Sequence, residues 1–271
     1  MKKKVMYGVI GVILGCIFLF PIYILIMNSF KTTKGIFTDV LGFPGKDTFT
    51  LENYKNAFEA LDYVKSFTNS LFITVISAVL VLLISSMAAW VLVRYKTKAS
   101  KVIFLIFAAS MLIPFQCVML PLVGFASKIG LMSRGGHIFM YMGFQTSMAI
   151  IMFHGFIKNI PEELEEAATI DGCGSVRLFF SIVLPLMKTI LVTVAVINVM
   201  GTWNDFLLPS LIINRQGLQT LPLKTYLFFG QFAKRWDLAS AGLVMCMAPI
   251  IIFYLFCQKY IVKGITDGAI K

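Results

Sequence analysis

Apolar residues run along this chain in six long stretches, at 5–30, 66–93, 102–127, 135–157, 189–214 and 238–258. Each is free, or nearly free, of Lys, Arg, Asp and Glu, with Asp205 the one acid inside the fifth. Each reaches the roughly 20 residues a helix needs to cross about 30 Å of hydrocarbon. Backbone amides find no water at that depth, so spans this long bond internally as helices. The pattern predicts an all-α membrane protein with six transmembrane helices. It divides the chain into a tail and first span at 1–30, a loop at 31–65, a core at 66–262 and a tail at 263–271. Within the core the spans are expected at about 68–93, 102–124, 138–157, 189–212 and 239–258, with a polar, charged island at 158–188 between the fourth and fifth spans.

Composition agrees with lipid as the solvent. Hydrophobic residues make up 58% of the 271 and charged residues 14%, with a mean hydropathy of +0.85; a soluble domain is about a quarter charged. Lys2, Lys3 and Lys4 before an apolar run imitate a secretory signal. The run continues from Val5 to Phe30 without a small-x-small cleavage site, so it reads as a retained span. The tail lysines and the short basic loop with Arg94, Lys96, Lys98 and Lys101 belong in the cytoplasm by the positive-inside rule. Loops 31–65 and 215–237 lie opposite, partly balanced by Asp39, Asp47, Glu52, Glu59 and Asp62. With six spans, both termini and the island are cytoplasmic. The net charge of +11 is then a topology signal and implies no nucleic acid.

Several chemistries are excluded. Cys16, Cys117, Cys173, Cys246 and Cys257 are scattered, with no CxxC spacing, and His137 and His154 are too few to suggest a metal site. Gly45-Lys46-Asp47 lacks the first glycine and the hydroxyl residue of a phosphate loop, so the chain is not its own P-loop ATPase. No Asp, His, Ser or metal constellation points to an enzyme, and no catalytic residue is assigned.

The island reads as two short helices at an angle across the membrane face. Asn159 is expected to cap the first, with Pro161, Glu162 and Glu163 in its opening turn. Ile160, Leu164, Ala167 and Ala168 form an apolar stripe opposite Glu162, Glu165 and Glu166. Asp171-Gly172-Cys173-Gly174 stops this helix, since glycine adopts the left-handed conformation of a sharp turn. Ser175 is expected to cap the second helix, through Phe179, Phe180 and Ile182 to Pro185 and the fifth span. Leu164, Ala167, Ala168, Ile170 and Phe179 are knobs for a cleft on a cytosolic partner. An amphipathic hairpin lying on headgroups is the competing reading; four glutamates in the first helix, which anionic lipid repels, favour a protein.

The spacing Glu166-Ala167-Ala168, three residues, Gly172, nine residues, Ile182-x-Leu184-Pro185 resembles the docking loop of permease subunits in ATP-driven, binding-protein-dependent importers. Ile160 to Leu164, Asp171-Gly172, Trp203-Asn204-Asp205-Phe206 and the C-terminal run Gln258 to Ala269 are similar to the smaller six-span permease of maltose-type carbohydrate importers; at Asp205 that family more often has glutamate. The resemblance covers nearly the whole chain. It implies the ABC importer type-1 permease fold, with a pair of coupling helices between spans 4 and 5. It implies as partners two cytosolic ABC ATPase subunits that bind ATP, a second and different permease, and an extracytoplasmic sugar-binding protein, with no cofactor in this chain. By the same resemblance, Glu166, Ala167, Ala168 and Gly172 sit in a groove of the ATPase, with Leu164, Ile170, Asp171, Ile182, Leu184 and Pro185 beside them. Residues 259–271 either reach the ATPases or form a solvated tail.

A pathway is sought where polarity enters the spans. Asp205 lies roughly 25 Å along a helix from Lys188, in the outer half. Trp203, Asn204, Asp205 and Phe206 combine an amide, a carboxylate and aromatic faces that suit a sugar. The competing reading is that Asp205 and Asn204 join helices. Asn28 with Ser29, Asn69 with Ser70, and Asn198 read as interhelical hydrogen bonds, and Pro114 and Pro121 bracket a disturbed third span. Importers of a non-sugar solute share the docking pattern. An ion-coupled secondary transporter would want internal repeats and a second intramembrane acid, which the sequence lacks.

Overall fold

The computed structural model describes residues 2–229 and 235–269, with side chains from Val5 to Phe229 and from Arg235 to Lys259. The expectations for Lys2 to Lys4, and for the C-terminal run beyond Lys259, therefore rest on side chains outside the described residues, as does the stretch 230–234 of the second outer loop. The helices are α1 (Lys2–Ser29), α2 (Thr33–Thr38), α3 (Glu52–Ala60), α4 (Tyr63–Arg94), α5 (Lys98–Ser110), α6 (Phe115–Lys128) and α7 (Arg134–Ile157). They continue as α8 (Glu163–Ile170), α9 (Ser175–Leu178), a π turn (Phe179–Val183), α10 (Leu184–Leu186), α11 (Lys188–Asn204), α12 (Leu207–Ile212), α13 (Leu221–Thr225) and α14 (Trp236–Ala269). Among the described residues the one β pairing is an isolated bridge, Lys31 to Phe49.

Among the described residues three helices are long and apolar enough to cross a membrane: Val5–Ser29, Tyr63–Arg94 and Trp236–Lys259. The third expected span is broken, and a second bend falls at the end of the island, just before the fifth expected span begins. α5 and α6 meet at 99°, and the stretch Ser175–Leu186 meets α11 at 81°, so the count is five if each bent pair is one span. Pro114 is the cause at the first break. It takes an extended backbone before α6, and its ring disfavours helix in the residue before it. Pro121, by contrast, stays inside α6. α7, at 24 residues, is about 36 Å long, but Gln145, Thr146, Ser147 and two histidines dilute its hydropathy. The fifth span differs again at its far end, where the helix expected to continue to 212 stops at Asn204 and resumes at Leu207.

The chain divides into two compact units, Met1–Phe67 with Thr220–Ile251, and Thr68–Gln219 with Ile252–Lys271. In the first, the expected loop 31–65 is folded. Lys31, only 1% exposed, donates from Nζ to the carbonyl of Asp39 at 2.6 Å, and Asn53 donates to the carbonyls of Ser29 and Lys31. Asn28 reaches the Val40 carbonyl. In the second unit, Asn69 bonds the Gly217 and Gln219 carbonyls. The span-end asparagines thus tie down loops, whereas Ser29 beside Asn28 does join helices, its hydroxyl 2.7 Å from the Tyr54 hydroxyl of α3.

Among its described residues the second unit has two apolar cores. One gathers Val81, Ala89, Ile150, Phe153, Ile157, Phe179, Val183 and Met187. The other holds Ile73, Ala126, Tyr141, Leu208, Ile212 and Ile213. Along α4 the buried positions Thr74, Ser77, Ala78, Val81, Ser85 and Ala89 are small or β-branched. Without a hydrophobic drive between helices in lipid, small side chains that let backbones approach are what hold such bundles together.

Candidate functional site

The segment between α7 and α11 is clamped to the end of α4. Trp90 and Arg94 lie four residues apart, on one helix face. Both grip Glu165. Trp90 Nε1 donates to Oε2 at 2.8 Å, while Arg94 Nε and Nη2 both donate to Oε1, at 2.9 and 2.6 Å. Nη2 also donates to the Ile160 carbonyl, 3.1 Å away. Both side chains are nearly enclosed, 11% and 9% exposed for Arg94 and Glu165. Nearer the surface, Lys96 bonds Glu162 at 2.8 Å, and that ammonium holds the Glu162 carboxyl below its ordinary range. The indole of Trp90 also packs on Phe179, ring centres 5.5 Å apart.

This arrangement corrects three expectations. Glu165 does not sit on an outer acidic face; it is the buried anchor of α8. Phe179 is not a knob, being 1% exposed within the core. The caps also differ. α8 begins at Glu163 after Glu162, with no side-chain cap, and Asn159 Nδ2 instead donates back to the Gly155 carbonyl at the end of α7. Gly174, not Ser175, precedes α9. The exposed positions are Leu164, Glu166, Ala167, Ile170, Asp171, Gly172 and Pro185, with Ala168, Ile182 and Leu184 half-buried. Leu164 is 47% exposed and Ile170 is 86% exposed. A rigidly held helix thus turns apolar side chains outward.

The turn after α8 closes as expected. Gly172 has φ +81°, and the Cys173 and Gly172 amides donate to the Ala168 and Thr169 carbonyls, both at 3.0 Å. That pair of bonds is the Schellman closure. No atom lies within 4 Å of where a Gly172 Cβ would stand, apart from its immediate neighbours, so the turn is open on its outer side. Beyond α9 the backbone widens into the π turn, closed by the Leu184 amide on the Phe179 carbonyl. Pro185 follows at the start of α10, where a missing N–H costs little.

The Trp203–Phe206 cluster does not form one lining surface. Trp203 is 5% exposed, whereas Asn204 and Phe206 face outward and Asp205 is half-buried. Asp205 ends α11 with an extended backbone. Its Oδ1 accepts the Leu207 and Leu208 amides at 2.9 and 3.4 Å, and its Oδ2 accepts from the Tyr141 hydroxyl at 2.8 Å. One turn along, Gln145 donates to the Thr202 hydroxyl at 2.8 Å. His137, Tyr141 and Gln145 recur every fourth residue on α7, and Asn198 and Thr202 do so on α11, so the two helices share a polar seam. Gln145 Oε1, Asn198 Nδ2 and both His137 nitrogens are buried there without a hydrogen-bond partner among the described residues. Sequence reading missed Tyr141, Gln145 and Thr202; their four-residue spacing was the available signal.

A helical chain with apolar spans, a clamped polar handle between two of them and a polar seam inside is a membrane transport subunit. The profile of the family described as binding-protein-dependent transport system inner membrane component matches residues 81–267. The chain belongs to that family, whose members are transporter permease subunits and not enzymes. It is 43% identical over 269 residues, covering 99% of this chain and 97% of the relative, to the probable starch degradation products transport system permease protein AmyC of Thermoanaerobacterium thermosulfurigenes. It is 34% identical to the melibiose/raffinose/stachyose import permease protein MelC of Bacillus subtilis (strain 168), covering 100% and 98% of the two chains. Two solved structures share the fold. A chain of a bacterial ABC transporter involved in the import of the acidic polysaccharide alginate matches with a TM-score of 0.79 at 22% identity, covering 96% of this chain and 98% of the other. A chain of the alginate transporter in complex with an alginate pentasaccharide-bound periplasmic protein matches with a TM-score of 0.70 at 16% identity, over 94% and 93%.

Proposed function

We propose that this chain is one permease subunit of an ATP-driven importer that moves a di- or oligosaccharide across the cytoplasmic membrane. In this reading α7 is the fourth of six spans, and both termini and the island 158–188 are cytoplasmic. The partners are two ATPases, a second and different permease, and an extracytoplasmic binding protein. Relatives named for starch products and for melibiose, raffinose and stachyose support the cargo class. The periplasmic protein in the alginate complex supports the delivery route.

The observation that carries the coupling role is the Trp90–Arg94 grip on Glu165. α8 is fixed to a span on one side and presents Leu164, Ala167, Ala168 and Ile170 on the other. An ATPase holding that outer face, with Gly172, Asp171, Ile182, Leu184 and Pro185 beside it, drags α4 when its dimer closes. Nucleotide then shifts the inward–outward equilibrium only through contacts that differ between the two states. The cargo meets the seam between α7 and α11. Sugar hydroxyls both donate and accept, so they suit the Asn198 amide and Gln145 carbonyl, with Asn204 and Phe206 exposed and Asp205 half-buried near the helix break.

Uptake of labelled melibiose and maltooligosaccharides by cells with and without this chain tests the reading. Loss of uptake for at least one, restored by the wild-type chain and not by Gly172→Val, is expected. Uptake of every sugar unchanged in the deletion, or purified chain alone moving sugar into vesicles, overturns it.

A further inference from the structure

A cleft of about 600 Å³ opens beside the clamp, between the end of α4, the start of α5 and the end of α7. Arg94, Lys96, Lys101 and Lys158 line it against a single lining carboxylate, Glu162. Glu165 neutralises Arg94 and Glu162 pairs with Lys96. Four cations less two carboxylates leave a charge of +2, that of Lys101 and Lys158. Neither has a carboxylate within 4 Å among the described residues. The cleft includes Thr97, the N-cap of α5, and a helix N-terminus adds further positive potential.

The opposite wall is apolar. Phe104 stacks on His154, ring centres 4.0 Å apart, and Leu105 is 62% exposed. α5 also changes character here. Lys96, Lys98 and Lys101 are exposed, and immediately after them Val102, Ile103, Leu105 and Ile106 are exposed at 56%, 45%, 62% and 62%. Such a change from exposed cations to exposed apolar residues along one helix marks the level of the headgroups.

We infer that this cleft is a binding site for the headgroup of an anionic phospholipid of the cytosolic leaflet, its phosphodiester held by Lys101 and Lys158 and its acyl chains lying along Leu105 and Phe104. A glutamate-rich α8 repels anionic lipid, so this cleft is where the handle region and such a membrane meet favourably. The lipid stands against the clamp that fixes α8, and its charge is the complement of the two lysines left over. The inference rests on the proposed cytoplasmic placement of the island.

Native mass spectrometry of the importer complex, purified with its partners and titrated with phosphatidylglycerol or phosphatidylcholine of equal chain length, tests it. Phosphatidylglycerol is expected to bind about tenfold more tightly than phosphatidylcholine. The double variant Lys101→Ala/Lys158→Ala should lose that preference, and Lys101→Arg/Lys158→Arg should keep it. Equal affinity for the two lipids in the wild type, or an unchanged preference in the folded alanine variant, overturns the site. So does competition by soluble glycerol phosphate at the same concentration as the lipid, which would mark a free-anion site. The same spectra count bound ATPase subunits. Their absence while the lipid preference persists speaks against the proposed docking and not against the lipid site.

Discussion

Arg94 and Glu165, 71 residues apart in sequence, meet at 2.6 Å in a nearly enclosed pair. The pair joins the last turn of a span to the helix that carries the docking pattern. Trp90 completes it by binding the other carboxylate oxygen. Removing one partner leaves a buried charge uncompensated, which costs about 3–5 kcal/mol. Arg94→Met should therefore lower the thermal stability of the purified complex sharply, and Arg94→Met/Glu165→Met much less. Equal losses in the single and double variants would dismiss the pair as the anchor.

The neighbouring Lys96–Glu162 pair offers the contrast. It is exposed on both sides, 70% and 44%, and exposed pairs contribute little. Lys96→Ala should leave the melting temperature where it is. The Glu162 carboxyl is held low by Lys96, so whatever this pair adds is present at neutral pH and fades as pH falls through that lowered value. A clear drop in melting temperature for Lys96→Ala at pH 7 contradicts this assignment.

Gly172 separates backbone demand from docking demand. Its φ of +81° costs an ordinary side chain about 1–2 kcal/mol, whereas asparagine takes that conformation readily. Gly172→Val should insert at normal levels yet lose most sugar uptake. Gly172→Asn should preserve the turn, so any uptake it loses reports the bulk added at the open outer face. Full uptake by both variants excludes a role for this turn in coupling.

Asp205 has one structural duty and one proposed duty, and the two are separable. Its side-chain oxygen accepts the first amides of α12, which asparagine can also do. Asp205→Ala should destabilise by about 1 kcal/mol, the worth of a lost side-chain cap, and Asp205→Asn by less. If the carboxylate also serves the pathway, Asp205→Asn and Tyr141→Phe lower uptake several-fold without lowering the amount of protein. Unchanged uptake in both confines Asp205 to its structural duty.

The side of the membrane on which α9 lies can be read by labelling. Val176 is 71% exposed. In a background with the native cysteines replaced, Val176→Cys should react with a membrane-impermeant maleimide in inside-out vesicles and stay unlabelled in intact cells. The reverse pattern removes the cytoplasmic docking role altogether.

Much of the fold was legible along the chain. The apolar stretches are long enough that only helices could satisfy their backbones, and the Gly172 turn followed from local conformational preference alone. The continuity of the spans was less so. Pro114 announced a disturbance without its 99° size, because how far a chain turns at a proline depends on what the two arms pack against. The break at Asp205 carried no helix-stopping residue beyond the acid, whose carboxylate accepts amides from the next helix.

The linear order of residues determined the class of protein, the helical state of its spans and the place of the docking pattern, since these follow from hydrophobic length and local backbone chemistry. It could not decide which glutamate of α8 faces inward, that Phe179 belongs to the core, or that Tyr141, Gln145 and Thr202 share a seam with Asp205. Those depend on pairs separated by 57 to 89 residues, from Gln145–Thr202 to Trp90–Phe179. A periodic pattern specifies that a helix has faces; only packing against a particular neighbour, and the cost of burying a charge without a partner, selects which face turns in.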